Sequence, residues 1–160
     1  MCMYIRSNAE KATPVTPRTS KEPIKCVKVV LKRPENPDVF YPPFWPGGFV
    51  YKVGEVAQAG RTLQESAERD PGWNDENNRL WIESGLSSFK PGAKGIESVK
   101  HWIKSEIRLG YYTEYVPTVL ECEIPAGTLY YEGEHYCCNN DVEGDEPGYC
   151  SEYLKVIREL

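Results

Sequence analysis

The sequence predicts an α+β fold: a small, mainly antiparallel sheet packed with one main amphipathic helix, in a loop-rich chain. Three observations carry this. Ile96, Val99, Trp102, Ile103 and Ile107 fall on one stripe at i, i+3, i+6, i+7 and i+11, the spacing of a buried helix face. Leu120, Cys122 and Ile124 alternate with Glu121 and Glu123, the period of a half-buried strand with a wet acidic face. Thirteen Pro and thirteen Gly in 160 residues demand frequent turns.

Residues 1–23 read as a flexible polar arm, with Pro14 and Pro17 breaking any helix and Arg6, Lys11, Arg18 and Lys21 scattered through it. Residues 24–160 read as a single globular α+β domain, of a size that buries one core. Residues 24–31 (IKCVKVVL) are rich in β-branched side chains and predict a strand, central in the sheet. Five prolines between 34 and 48 argue against regular structure there, while Phe40, Tyr41, Phe44 and Trp45 are apolar enough to cover the core. A short strand is expected over 49–53, stopped by Gly54. Thr62 and Glu65 have the spacing of a capping box, so a short helix is expected from Leu63 to the Pro71-Gly72 break. Residues 80–82 predict a strand leading into Gly85-Leu86-Ser87-Ser88-Phe89. The main helix follows, with Gly110 as its stop. His101 lies off the apolar stripe and reads as a surface histidine. The strand over 119–124 turns at Pro125-Ala126-Gly127 and is expected to return over 128–131, and 153–157 closes the sheet.

Charge is unevenly spread. Residues 109–154 contain ten carboxylates and no Lys or Arg, a sum of −10, together with eight of the eleven tyrosines. The rest of the chain carries 19 basic and 14 acidic residues, a sum of +5. Such asymmetry speaks to partners rather than to fold. It disfavours direct nucleic-acid binding and favours a partner with a basic surface. No apolar run approaches a membrane span, and the N-terminus lacks the apolar core of a signal peptide. A cytoplasmic location is therefore expected, with the six cysteines reduced. Cys26 and Cys122, inside apolar runs, read as small buried hydrophobes.

No catalytic signature is complete: G-x-S-x-G, H-E-x-x-H and the P-loop are all missing, and only His101 and His135 are available to a triad. His135, Cys137, Cys138 and Cys150 gather around an acidic loop, but structural zinc usually takes two spaced ligand pairs, and here two cysteines are adjacent. Asn139, Asp141, Glu143 and Gly144 imitate the start of a calcium loop, yet Cys150 stands where its bidentate Glu belongs. Neither a metal nor a cofactor is expected on these grounds, and no catalytic residue is assigned. The reading leans toward binding rather than catalysis.

Lys28-Val29-Val30, Tyr51 to Gly54, Gly85 to Phe89, Cys122 to Tyr131 with its Ile124-Pro125-Ala126-Gly127-Thr128 turn, and Ser151 to Val156 resemble, in that order, small uncharacterised accessory proteins of gut Bacteroides and their phages. The resemblance spans residues 24–160. It implies a phage or mobile-element accessory protein and brings no activity with it. Ser87 stands where such proteins often carry His. A weaker resemblance, in strand 24–31, Ser87-Ser88-Phe89 and Glu152, is to ADP-ribosyltransferase-like folds. It implies a nucleotide pocket between Tyr51, Ser88 and Glu152. The basic first-strand residue of that pattern has only Lys28 and Lys32 as counterparts.

The expected function is thus capture of a host protein, a defence protein among the candidates, through an acidic Tyr-rich face. Carboxylates along a strand and a hairpin can imitate the charge row of a nucleic-acid backbone. The expected contacts are Glu121, Glu123, Glu143, Asp145 and Glu146, with Tyr130 and Tyr131 as anchors. The alternative is a nucleotide-binding or ADP-ribosyltransferase-like protein, active or degenerate, with a nucleotide-type small molecule between Tyr51, Ser88 and Glu152. No membrane partner is expected.

Overall fold

The longest strand, β3 (Ile24–Arg33), is buried along six consecutive residues, Cys26 to Leu31, because apolar layers cover both of its faces. A computed structural model of the protein describes residues 3–6, 17–43, 49–63, 67–69, 79–82, 85–135 and 146–160. In these residues β1 (Met3–Arg6) and β2 (Arg18–Thr19) precede β3, and β4 (Asn36–Tyr41), β5 (Tyr51–Lys52), β6 (Val56–Gln58), β7 (Ala67–Arg69), β8 (Arg79–Ile82) and β9 (Leu86–Phe89) follow it. The helix α1 (Gly95–Arg108) leads to β10 (Val116–Ile124), β11 (Leu129–His135), β12 (Glu146–Ser151) and β13 (Tyr153–Glu159). The architecture is a small α+β fold, one sheet with one main helix.

The sheet order is β6-β13-β10-β3-β9-β12-β11-β1-β8-β7, with β4 added to β3, β5 to β4, and β2 to β11. Every described pairing is antiparallel. The alternation of β3 sorts its side chains into two cores. Cys26 and Val30 join Phe40, Tyr51, Leu86, Leu120, Cys122, Ile124, Leu154 and Val156 on one side. Val27, Val29 and Leu31 join Phe89, Tyr115 and the helix residues Val99 and Ile103 on the other. A third cluster holds Leu63, Ile82, Tyr131 and Cys150. The helix is the one its stripe predicts, and Gly110 (φ +94°) follows it in the left-handed region that glycine tolerates. Its first residue, Gly95, lies so close to Phe89 and Glu146 that a Cβ would sit 2.7–2.9 Å from their side chains.

Four expectations meet a different structure. The proline-rich stretch contains β4, because Pro37 sits at the exposed end of the strand while Phe40 and Tyr41 make the ladder contacts with β3. Leu63 is helical as expected, but residues 67–69 form β7 against β8 where that helix was to continue toward Pro71-Gly72; Glu65 of the capping box lies outside the described residues. The 128–131 segment does not return along β10. Ser20 occupies the turn instead: its Oγ donates to Pro125 O at 2.6 Å, Thr128 N donates to Ser20 Oγ at 3.0 Å, Gly127 N to Ser20 O at 2.7 Å, and Ser20 N to Thr128 O at 2.9 Å. With those backbone groups taken, β11 departs to pair with β12, β1 and β2. The N-terminal segment expected as an arm thus supplies Ser20 and two strands, β1 between β11 and β8, and β2 beside β11. Among the described residues no helix is long and apolar enough to cross a membrane.

Candidate functional site

Four carboxylates of the acidic stretch, Glu114, Glu121, Glu123 and Glu132, are met in the fold by cations from outside it. Glu121 of β10 lies opposite Arg158 of β13 and accepts from its guanidinium, and Glu123 lies opposite Lys155, whose Nζ is 3.6 Å from Oε1. A β-bulge between Glu121 and Cys122 brings Arg158 into that register. Glu114 is 3.5 Å from Arg33 Nη2, and Glu132 takes both Lys90 and Arg18. Along β10 the cations lie outermost: the Arg158 side chain is 67% exposed against 26% for Glu121, and Lys155 is 42% against 26% for Glu123.

Among the described residues, those expected to bind a partner are not gathered on one acidic face. Glu121 and Glu123 share a face of β10 under their cations. Tyr130 packs against the first core with its ring edge-on to Tyr149 at 6.0 Å, and Tyr131 is buried in the third cluster. Glu146 is buried beneath Gly95 at the start of α1. Glu143 and Asp145 lie outside the described residues.

A different surface forms around Glu121 and Glu123. In β13, Leu154 and Val156 point into the first core, so Tyr153, Lys155 and Ile157 point out. In β6, Ala57 packs inward and Val56 and Gln58 point out, opposite Lys155 and Tyr153 respectively. Gln58 Nε2 donates to Tyr153 Oη at 3.2 Å, tying the two strands on that side. Val56, Tyr153 and Ile157 are exposed apolar groups there, set around Lys155, which pairs with Glu123, and the Glu121–Arg158 pair lies beside them.

The residues expected around a nucleotide are brought together only in part. Tyr51 and Ser88 are both buried, and the Lys28 ammonium stands between their strands, 5.2 Å above the Tyr51 ring and donating to the Ser87 carbonyl. Lys28 is itself buried, and no ion pair to it occurs among the described residues. The Cys26 thiol lies beside the Ser88 hydroxyl, yet Ser88 Oγ has no partner at hydrogen-bonding geometry there. Glu152 goes elsewhere: its Oε1 accepts from Leu63 N at 3.3 Å, at the third cluster.

His135 is not a loop residue but the buried end of β11. Its Nε2 is 2.7 Å from Ser88 O, and since a carbonyl only accepts, Nε2 carries the proton and donates it. Its ring stands edge-on to Phe89 at 4.9 Å. Gly148 makes this possible. A Cβ there would come within 2.4 Å of the imidazole and 2.3 Å of Ser88 O. Burial lowers the His135 pKa to about 4, while the bond to the Ser88 carbonyl pulls weakly the other way. Burial likewise pushes the Cys150 thiol up to about 12. Cys137 and Cys138 lie outside the described residues, among which no three His, Cys, Asp or Glu side chains gather into a metal site.

Compared with protein-family models, with curated proteins and with solved structures, the chain finds no match. The residues that matter most to these sites were only partly legible. Lys28 carries a readable signal, a cation with Cys26 and Val30 on the inner face of an apolar strand. Val56 and Ile157 carry none, because their exposure depends on which strands become neighbours.

Proposed function

We propose that this chain is a binding protein of the phage or mobile-element accessory class that its sequence resembles, and that it captures a host protein through the outward face of β6, β13 and β10. One observation carries the reading: Val56, Tyr153 and Ile157 stand exposed on one face around Lys155, with Glu121, Glu123 and Arg158 beside them. Exposed apolar groups beside charges that are already paired suit a protein interface. The face replaces the acidic Tyr-rich hairpin as the contact surface and keeps Glu121 and Glu123 within it. The test is affinity capture from host lysate with the full chain, run beside Tyr153→Asp and Ile157→Asp variants of matched urea midpoint. A partner retained by the wild type and lost by both variants is expected. A partner that both variants retain, or no saturable partner at all, overturns the reading.

A second reading, a nucleotide-type ligand, is supported by the gathering of Tyr51 and Ser88 about Lys28. A buried ammonium without a carboxylate is costly unless an anion offsets it. Its test is native against denatured mass of the gently purified protein. A releasable anionic adduct that Ser88→Ala and Lys28→Met both remove supports this reading, and an adduct-free native mass overturns it.

A further inference from the structure

Strands β3 and β10 run in unbroken register through nine opposed pairs, from Val116 opposite Lys32 to Ile124 opposite Ile24. Within this ladder Cys26 stands directly opposite Cys122. Opposed residues of an antiparallel pair project to the same side, and both thiols lie in the first core cluster, each 1% exposed. Opposed Cα atoms in such a ladder are about 4.5 or 5.5 Å apart. Both spacings fall inside the range of about 4.4–6.8 Å that a disulfide spans without backbone movement. Both cysteines are free thiols in this structure, and Cys150 belongs to a separate cluster and does not compete.

We propose that Cys26 and Cys122 are a redox pair, a cross-strand disulfide that forms when the chain folds in the presence of a small-molecule disulfide and that is absent when it folds in a reducing one. The exchange is balanced by the reagent. One cysteine thiolate attacks a sulfur of oxidised glutathione and releases one glutathione thiolate, giving a mixed disulfide. The second cysteine then displaces the other glutathione, so two protein thiols lose two electrons and two protons and one oxidised glutathione becomes two reduced ones. The step belongs to folding rather than to the folded state. Burial pushes Cys26 up to about 11 and Cys122 up to about 12, which leaves little thiolate once the core has closed. The finished sheet therefore preserves the redox state in which it was assembled.

The test uses the full chain. Protein unfolded in urea is refolded by dilution into glutathione redox buffer, alkylated, digested and mapped by mass spectrometry. A parallel sample is folded under reducing conditions first and then given the same buffer. The expected result is a linked Cys26–Cys122 peptide pair, lighter by two hydrogens, in the refolded sample, with a higher urea midpoint than the reduced protein. In the prefolded sample linkage should be at least about a hundredfold slower. Cys26→Ala should abolish the midpoint shift; if that variant does not fold, the peptide map of the wild type decides alone. Alkylation of both Cys26 and Cys122 after oxidative refolding, or linkage of either to another cysteine, overturns the proposal. Equal rates in the two samples overturn its timing.

Discussion

At Gly148 a single missing methyl group organises the centre of the molecule. Without a Cβ there, the His135 ring reaches over β12 to the Ser88 carbonyl of β9, joining three strands through one buried hydrogen bond. Gly148→Ala is expected to lower stability by about 3 kcal/mol, since the intruding carbon meets backbone as well as the ring and overpacking of this kind is poorly relieved. The urea midpoint measures it, and an unchanged midpoint refutes the packing argument. The same imidazole makes the fold sensitive to acid. Its pKa is lowered from 6.5 to about 4 because burial disfavours the imidazolium. Between those values the unfolded chain binds a proton that the folded one refuses, so stability rises with pH across the window. The contribution is fully present above pH 6.5, declines as pH falls toward about 4, and amounts to about 3 kcal/mol over the interval. A urea midpoint measured across this range should fall with acid in the wild type and should fall much less in His135→Gln. Equal slopes in both proteins would locate the acid sensitivity elsewhere.

Among elements, α1 and β10 show how far local pattern reaches. The stripe of Ile96, Val99, Trp102, Ile103 and Ile107 determines a helix and its buried face together, and Ile103 ends fully buried against β3 and β9. Ile103→Ala should cost about 3 kcal/mol, the usual penalty for a cavity in a closed core. A loss near zero would show that the helix is not the lid of the second core. The alternation of Leu120, Cys122 and Ile124 determines the inner face of β10 in the same way. Pairing is another matter. The Pro125-Ala126-Gly127 turn has the chemistry of a hairpin, yet Ser20, 105 residues from the carbonyl it binds, takes up its hydrogen bonds and sends β11 across the sheet. No local signal marks that contact, since it arises between two polar segments that each read as loop. Pro37 misleads for a related reason: a proline opposes a strand only where the ladder needs its N–H, and that depends on the neighbour rather than on the sequence nearby. Of the three residues expected around a nucleotide, Tyr51 and Ser88 lie on the strands around Lys28, while Glu152 turns toward Leu63.

Across the whole molecule the two halves of opposite charge are interleaved. Arg18, Arg33, Lys90, Lys155 and Arg158 all come from outside the acidic stretch, and they meet Glu132, Glu114, Glu123 and Glu121 within it. The sum of −10 is plain in the sequence, but its partial cancellation is not, because each pair joins segments that only the sheet order brings together. This bears on how a partner is held. A surface that imitates a phosphate row must present carboxylates without their cations, and along β10 the cations are the outermost groups. Exposed ion pairs of this kind contribute about 0–1 kcal/mol each and are screened by salt. The proposed binding through the face of β6, β13 and β10 should accordingly be governed by its exposed apolar groups. Ile157→Asp is expected to weaken a captured partner at least about tenfold, the effect of burying an unpaired charge among hot-spot contacts. Joint Glu121→Gln and Glu123→Gln substitution should change affinity by no more than about threefold, and added salt by a similar factor. Titration calorimetry at low and high salt on the three proteins separates the possibilities. Affinity that collapses with salt and ignores Ile157→Asp would return the interface to unneutralised carboxylates, and would remove it from this face.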